Sequence, residues 1–195
     1  MTTAILLSAG SSKRMGDSNK LLLSVGGTPM VSHIASVLLS SDIDQIIGVL
    51  GHQRNLTQAL LKKLTIKTVY NPHHQLGMVS SIKAGISILP KGTARIMIAL
   101  GDMPLMKAAH INSILKFSDK QAIGSIIRPI TNSHEFGHPV IFAARYIDEI
   151  MNCVDAHSLK SVIKANKSAF TPFRTEDRAY FTDIDTPSEY KKLNI

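Results

Sequence analysis

A glycine-bearing cationic loop, AGSSKRMG over residues 9–16, directly follows the first apolar run of the chain. Gly10 allows the backbone to approach a ligand closely, and successive amides in such a turn can point at phosphate oxygens. Lys13, Arg14 and Lys20 then supply positive charge, and a guanidinium can hold a phosphate in a fork of two hydrogen bonds. The loop therefore indicates an anion site, although a solvated polar turn that contains glycine would account for the same residues.

Neither of the two common phosphate-binding signatures fits this loop. The dinucleotide fingerprint needs G-x-G-x-x-G, and Gly10 is followed by two serines. A Walker loop needs four residues between its glycines and then Lys-Ser/Thr, whereas five residues separate Gly10 from Gly16 and Asp17 follows. The sequence therefore argues against a dinucleotide enzyme and against a Walker-type ATPase.

Carboxylates stand in two further short polar segments, GDMP (101–104) and DIDTP (183–187). Asp102 follows a predicted strand, and a carboxylate there suits Mg²⁺, which binds one or two protein oxygens plus substrate phosphates. Asp183 and Asp185 are two positions apart, and Thr186 opens a predicted helix, which would turn Asp185 toward a cleft. Two alternatives stay open: GDMP forms an ordinary turn, or Asp185 stabilises the helix start through the helix dipole.

Short aliphatic runs alternate with segments of helical period, which indicates an α/β fold with a mostly parallel sheet. The first helix is expected to start with Pro29, and the last to carry a capping box in which Thr186 is the N-cap. Because ligands of such sheets bind beyond the carboxyl ends of the strands, the site is expected at that edge of one domain over residues 1–195. Strands are predicted at 3–9, 45–51, 67–71, 94–101, 122–129 and 138–143, and helices at 29–40, 55–64, 78–89, 107–117, 144–152, 157–166 and 187–193.

The composition limits the classes of function. With 195 residues, 44% of them hydrophobic, the chain can bury a sizeable core, and no apolar run approaches the length of a membrane span. Cys153 is the single cysteine, which excludes an internal disulfide and favours a packed residue in a reducing compartment. Residues 1–9 lack a secretion signal, so we expect a cytoplasmic protein with no membrane partner. The net charge of +8 suits a nucleotide, and because basic residues are scattered and Trp is absent, no nucleic-acid partner is predicted.

Residues 6–31, LLSAGSSKRMGDSNKLLLSVGGTPMV, resemble the opening signature of the MobA-like NTP transferases, which include the molybdenum cofactor cytidylyl- and guanylyltransferases. The positions that match are Gly10, Arg14, Met15, Gly16, Lys20, Gly27 and Pro29. The resemblance implies a single-domain, Rossmann-like three-layer α/β/α sandwich, similar to nucleotide-diphospho-sugar transferases. It also implies a nucleotidyltransferase that uses Mg²⁺.

The same resemblance implies roles for individual residues. Arg14, Lys20 and Asp102 would be catalytic, the two cations by neutralising pyrophosphate, and Asp102 and Asp185 would bind the metal. NPHHQLGMVSSIKAG (71–85) resembles the family segment that lines the base and ribose, although Ser80 could simply cap the following helix. The implied nucleotide-binding residues are Ser8, Ala9, Gly10, Ser11, Ser12, Arg14, Lys20, Gly77, Ser80 and Ser81.

GHPVIF (137–142) resembles the family segment beside the acceptor, which implies that Gly137, His138 and Pro139 lie on the acceptor side. Ala9 matches the cytidylyl branch and implies transfer of CMP from CTP to the phosphate of the molybdenum-pterin cofactor, with transient contact to a molybdoenzyme or its chaperone. Two departures concern the acceptor: Glu135-Phe136 replaces a basic residue, and VDAHSLKS (154–161) replaces a G-D-x-G-A-R run. They leave the identity of the acceptor open. The sequence as a whole leaves open another nucleotide such as GTP, a sugar-phosphate acceptor, a non-catalytic nucleotide-binding protein, or a basic protein that binds nucleic acid.

Overall fold

A seven-stranded sheet forms the centre of the computed structural model, which describes residues 1–16, 19–154 and 159–193. The strand order is β5-β4-β1-β6-β8-β7-β9, and β8 is antiparallel to both neighbours while the other pairings are parallel. A separate hairpin pairs β2 with β3. The strands are β1 (Thr2–Ser8), β2 (Ser24–Val25), β3 (Thr28–Pro29), β4 (Gln45–Leu50), β5 (Lys67–Tyr70), β6 (Arg95–Leu100), β7 (Ile126–Ile130), β8 (Val140–Ala143) and β9 (Phe170–Arg174).

Helices cover both faces of this sheet. They are α1 (Met30–Leu39), α2 (Arg54–Lys63), α3 (Met78–Ile86), α4 (Ala108–Asp119), α5 (Ile147–Asn152), α6 (Lys160–Ala165) and α7 (Pro187–Lys191). One core cluster contains buried residues of α1, α2 and α4, and the other contains buried residues of α3, α5 and α6. The arrangement confirms the predicted three-layer, mostly parallel α/β fold. None of the helices in the described ranges is long and apolar enough to cross a bilayer.

The central strands are apolar on both sides because each side faces a helical layer. In β1, Leu6 belongs to one core cluster and Ile5 to the other, and both are completely buried. Met97 and Ile98 divide in the same way in β6. This is the pattern expected of parallel strands covered on two faces, and it leaves only the strand ends free for polar groups.

The first helix does not start as the sequence suggested. Pro29 lies in β3 and forms the N-cap of α1, so the expectation that it is the first helical residue was wrong. Gly26 and Gly27 both have positive φ and turn the chain between β2 and β3, and this hairpin was not foreseen. Pro29 is paired in this short hairpin, and the helix therefore begins only at the next residue, Met30.

The last strands also differ from the prediction. The strand expected at 122–129 begins only at Ile126, because Gly124 has a φ of 95° and the preceding Ile123 is fully exposed in the turn. Strand β9, which contains Pro172, was not predicted at all. It lies at the edge of the sheet, where a strand tolerates proline.

Two predicted helices of the second half are shorter than expected. The segment 144–152 forms a 3₁₀ turn, Ala144–Tyr146, before α5, and the helix expected at 157–166 is observed as α6. Its first two predicted positions, and residues 155–158 of the departing segment 154–161, lie outside the described residues.

The short helix α7 has the predicted capping box. The Thr186 hydroxyl accepts a hydrogen bond from the Glu189 amide, at 3.2 Å, and the Thr186 amide donates to the Glu189 carboxylate at 2.8 Å. This confirms the helix start that the sequence TPSE indicated.

A small apolar cluster and one hydrogen bond hold the α7 region against the β2–β3 hairpin. Ile184 is buried against Val25 and Met30, and the Tyr190 hydroxyl donates to the Ser24 carbonyl at 2.7 Å. The DIDTP segment is therefore fixed beside the loop that follows β1.

Candidate active site

The loop after β1 is closed by its own side chains. The Ser12 hydroxyl accepts a hydrogen bond from the Lys20 amide at 3.2 Å, and the Asn19 side chain accepts one from the Leu21 amide at 3.1 Å. At its start, the Ala9 carbonyl accepts a hydrogen bond from the His52 amide after β4. These bonds fix the backbone of Lys20 at the base of the loop and thereby fix the point from which its side chain extends.

The Lys20 ammonium lies between two carboxylates from distant parts of the chain. Its Nζ atom forms ion pairs with Asp102, directly after β6, and with Asp185 Oδ1 at 2.8 Å. The Ile184 amide donates to the Asp102 carbonyl at 3.0 Å and thereby holds the DIDTP segment against the GDMP turn. Arg14 reaches the other Asp185 oxygen at 2.6 Å, but its side chain is 68% exposed whereas that of Lys20 is only 12% exposed.

These contacts shift the pKa values of the cluster. Burial alone would lower the pKa of Lys20, but the carboxylates of Asp102 and Asp185 raise it above its ordinary value. Burial alone would raise the pKa of Asp185, yet the hydrogen bond and charge of Lys20, with Arg14, lower it. Desolvation and the neighbouring carboxylates raise the pKa of Asp183. Lys20 and Asp185 are therefore held in their charged forms.

Three carboxylates fit a divalent cation. Oxygens of Asp102, Asp183 and Asp185 lie within 4.8 Å of one another. Asp102 Oδ1 is buried and has no hydrogen-bond partner among the described residues. A buried, unpartnered carboxylate oxygen is costly unless something binds it, and oxygen ligands of this kind suit Mg²⁺ or Mn²⁺. The donor set therefore fits the cofactor that the sequence indicated.

An open cleft of about 370 Å³, which we call the Lys20 cleft, has Lys20 and Asp102 of this cluster in its wall. Its walls bring together seven of the predicted site residues: Ala9, Gly10, Ser11, Lys20, Gly77, Ser81 and Asp102. Apolar contacts from Leu7, Leu21 and Leu100 form part of the floor, and His74, Gln75 and Met78 form part of the rim. The cleft lies at the carboxyl ends of β1 and β6, as parallel α/β sheets place their ligands.

Other predicted residues of the β1 loop lie around the cleft rather than in its wall. Ser8 is buried, with its hydroxyl next to Gly101 and without a hydrogen-bond partner in the described ranges. Ser12 has a left-handed backbone (φ 50°) and uses its hydroxyl to hold Lys20. Arg14 is at the rim, attached to Asp185.

The segment 71–81 is held by a buried asparagine. The Asn71 amide nitrogen donates to Ser80 at 2.9 Å and to Ser81 at 3.0 Å. Gly77 (φ 105°) is the N-cap of α3, so the alternative that Ser80 caps this helix was wrong. Ser80 instead donates to a carbonyl of the preceding turn and faces an outer groove, so only Ser81 lines the Lys20 cleft.

A second cavity, of about 210 Å³, adjoins the cleft at Met78, and we call it the His138 cavity. Its wall is mainly apolar, with Arg128, His138 and Lys160 as the polar members and Met78, Ile82, Ile98, Val140, Phe142, Leu159 and Ile163 as the others. Arg128 donates to the Gly137 carbonyl at 2.9 Å and stacks on Phe136 at 5.0 Å. The cavity thus lies beside the predicted acceptor segment.

His138 is neutral in this environment. Burial, followed by the positive charge of Arg128, lowers its pKa to about 3, and a hydrogen bond with the Ile98 backbone acts in the opposite direction. Its Nδ1 atom is buried and has no hydrogen-bond partner within the described parts of the chain. His138 therefore adds no positive charge to the wall of this cavity.

The two other predicted acceptor residues do not line this cavity. Pro139 packs on the opposite face of the sheet, beside Met103 and Ile111, and the peptide bond before it is cis. Gly137 is packed against Tyr180 and Phe181, where a side chain would collide. Of the three, only His138 is placed to contact a ligand.

Several residues of the site were missed by the sequence reasoning. Asp183 joins the carboxylate cluster, and its spacing of two from Asp185 was the available signal. Asn71 was not singled out, although it opens the segment 71–85 that resembles the family. Arg128 had no such signal, because an arginine inside a strand is common. Glu135 departs from the family pattern, which has a basic residue before G-H-P. It pairs with Arg178 through two hydrogen bonds, so Arg178 supplies a cation beside this position from another segment of the chain.

The fold and the site define a class: a parallel α/β protein with a cation–carboxylate cleft at the carboxyl edge of its sheet. The sequence model of the MobA-like NTP transferase domain matches residues 4–170, and the chain therefore belongs to that family of nucleotidyltransferases. This confirms the resemblance seen in the first loop.

Comparisons with individual proteins agree with this family. The bifunctional protein GlmU of Lawsonia intracellularis is 31% identical over 121 residues, which are 61% of this chain and 26% of that protein. The chain spans less than half the length of the first curated relatives that it matches.

Similar solved structures cover nearly the whole chain. A nucleotidyl transferase from Methanothermobacter thermautotroptrophicus superimposes with a TM-score of 0.84 at 21% identity, over 99% of this chain and 95% of that one. Rv0371c of Mycobacterium tuberculosis H37Rv has a TM-score of 0.81 at 22% identity, over 98% and 96%. A second structure of Rv0371c is a complex with manganese (TM-score 0.74, 20% identity, 98% and 97% covered). At these identities the likeness shows the fold.

Proposed function

We propose that this protein transfers CMP from CTP to the phosphate of the molybdenum-pterin cofactor and releases pyrophosphate. The observation that carries the proposal is that Lys20 and Asp102 line a cleft whose wall includes a glycine-bearing loop, while carboxylate oxygens of Asp183 and Asp185 lie within 4.8 Å of one of Asp102. That combination suits a triphosphate with a divalent cation, because it offers both positive charge and carboxylate ligands at one point.

The triphosphate would lie along the β1 loop. Gly10 and Ser11 line the cleft, and Gly10 leaves open space, with nothing within 4 Å of an added Cβ. Lys20 and Arg14 would neutralise the departing pyrophosphate. Ala9, Gly77 and Ser81 would contact the nucleoside, while Ser8, Ser12 and Ser80 would support the positions of these groups.

Asp102 and Asp185 would hold Mg²⁺, with Asp183 beside them. When bound, the metal supplies charge neutralisation on the phosphate oxygens. The residues of the chain orient the phosphates and keep water from part of the cleft through the apolar floor of Leu7, Leu21 and Leu100.

The acceptor would occupy the His138 cavity. An oxygen of its phosphate would attack the α-phosphorus of CTP in line, forming a phosphorus–oxygen bond as the bond to pyrophosphate breaks. Because this phosphate is already anionic, the step requires no general base, and positioning carries the reaction. The apolar wall supports a heteroaromatic acceptor over a sugar, because sugar hydroxyls would lose their hydrogen bonds to water there.

The test is a thermal shift with each nucleoside triphosphate, with and without Mg²⁺. CTP with Mg²⁺ should give the largest shift in unfolding temperature, because it is the proposed substrate. A ligand at 100 times its Kd stabilises the fold by about 2.7 kcal/mol. Pyrophosphate release is then measured with CTP and either a molybdenum-pterin or a sugar phosphate. If none of the triphosphates shifts the unfolding temperature, the proposal is contradicted. Release of pyrophosphate with the sugar phosphate but not with the molybdenum-pterin would contradict the proposed acceptor.

A further inference from the structure

The Lys20 ammonium occupies the space that a divalent cation would need. It bonds to Asp102 and to Asp185, which are two of the three carboxylates that lie within 4.8 Å of one another. Together the three carboxylates carry three negative charges, which Lys20 and Arg14 reduce to one. A divalent ion added to this arrangement would stand within a few ångström of an ammonium in a partly buried site, where like charges repel strongly.

We propose that Lys20 is a placeholder cation: it fills the metal site until a nucleotide arrives, and a divalent cation binds well only once the phosphates have drawn Lys20 away. This inference rests on the proposed function, because it concerns the order in which metal and nucleotide enter that site. Metal and nucleotide then bind with positive coupling, and each strengthens the other by the same factor.

The geometry allows this exchange without a movement of the backbone. The Lys20 amide is fixed by Ser12, so only the flexible side chain has to turn. Lys20 itself lines the cleft together with Gly10 and Ser11, where the phosphates would lie. Its ammonium can therefore move from the carboxylates to the phosphates by rotation of its own bonds, and the carboxylate oxygens that it leaves become available as ligands.

Arg14 provides a matched comparison. It also pairs with Asp185, at 2.6 Å, but from the rim and with a largely exposed side chain. It does not contact Asp102, so it does not stand between the carboxylates. Removal of Arg14 takes away the same formal charge as removal of Lys20 and leaves the placeholder in position.

The experiment measures the affinity for Mn²⁺ alone by electron paramagnetic resonance, in the wild type, Lys20→Met and Arg14→Met. We expect Lys20→Met to bind Mn²⁺ about tenfold or more tightly than the wild type, because the competing cation is gone. Arg14→Met should change the affinity by no more than about threefold, as expected for an exposed charge. Addition of CTP should raise Mn²⁺ affinity in the wild type and much less in Lys20→Met.

Equal or weaker Mn²⁺ binding by Lys20→Met would overturn the proposal, and so would an equal gain in the two variants, which would indicate a general charge effect. If Lys20→Met does not fold, Lys20→Gln takes its place, and folding is checked by circular dichroism before the titration. The arm with Mn²⁺ alone contains no nucleotide, so its result is independent of transfer activity. A wild type that binds no triphosphate in the thermal shift would count against the proposed function separately.

Discussion

The Lys20 cleft and the His138 cavity meet at Met78 but are built in opposite ways. The cleft is assembled from loops, and its charged groups are paired with one another across the fold. The cavity is lined by the sides of strands and helices and is mainly apolar, and its histidine is neutral. One half of the site is thus defined by charge and the other by packing.

This difference indicates how the two halves can change. A loop that carries its own charges works as long as a few residues keep their positions, so it suits a ligand part that is always the same, such as a triphosphate. A packed cavity changes its shape with each substitution in its wall. We therefore expect the acceptor to be determined by the His138 cavity and the common chemistry by the Lys20 cleft.

The largest effect is expected from Asp102→Ala in the charged half. The variant should lose pyrophosphate release, a fall on the order of a thousandfold, because it removes a carboxylate that would hold the metal that neutralises the phosphates. Circular dichroism should show an intact fold. Asp119→Ala, which removes an exposed carboxylate paired with Arg95, is the control and should retain activity. Full activity of Asp102→Ala would remove this residue from the mechanism.

A pair of glycine substitutions compares the packing of the predicted acceptor segment, beside the His138 cavity, with that of the Lys20 cleft. At Gly137 an added Cβ would meet the Tyr180 carbonyl and the Phe181 ring, so Gly137→Ala should lower the free energy of unfolding by about 1–3 kcal/mol. Gly10→Ala has open space and should change it by no more than about 0.5 kcal/mol, while weakening CTP binding. Urea unfolding and nucleotide titration measure both. Equal stability of the two variants would refute the packed character of the acceptor side.

His138 is expected to give the free energy of unfolding a pH dependence. Its pKa of about 3 in the folded state is below the unfolded value of about 6.5, so between these values the unfolded chain binds more protons. This contribution to stability is complete above pH 6.5 and is lost as the pH falls, by about 1.4 kcal/mol per pH unit.

Urea unfolding between about pH 7 and pH 5 tests this, a range in which histidines titrate. His138→Gln should reduce the slope of unfolding free energy against pH, and His73→Gln, at an exposed histidine, should keep it. An unchanged slope in His138→Gln would mean that His138 is not the buried neutral group.

The charged half could be predicted from the sequence to a large extent. Gly10, Lys20 and Asp102 stand in short polar segments after apolar strands, and the parallel sheet brings such segments to one edge. Asp185 instead follows a 3₁₀ turn, and it reaches this edge through the hydrogen bond from Ile184 to Asp102. Their roles in catalysis stay predictions, but their proximity follows from the alternation of strands and helices. The orientation of Ser80 could not be predicted in this way, because the direction in which a residue near a helix start points depends on where the helix begins.

The packed half was harder to predict for physical reasons. Arg128 of β7 lines a cavity shared with β6 and β8, because β8 lies between β6 and β7 although it follows both in the chain. β9 contains a central proline and was not recognised, since its position at the edge is what permits Pro172. The turn at Gly124 was hidden by the apolar Ile123, which is exposed.

The hydrogen bond from Ile184 to Asp102 and the neighbouring ion pair of Lys20 with Asp185 join distant parts of the chain, which has a consequence for the order of folding. Lys20 and Asp185 are 165 positions apart, so their ion pair closes a long stretch of chain, whereas β1, β4 and β6 can associate first. Contacts of such separation are expected to form after the main barrier, and they then slow unfolding without speeding folding. These candidate site residues would act on the lifetime of the folded chain and not on its rate of formation.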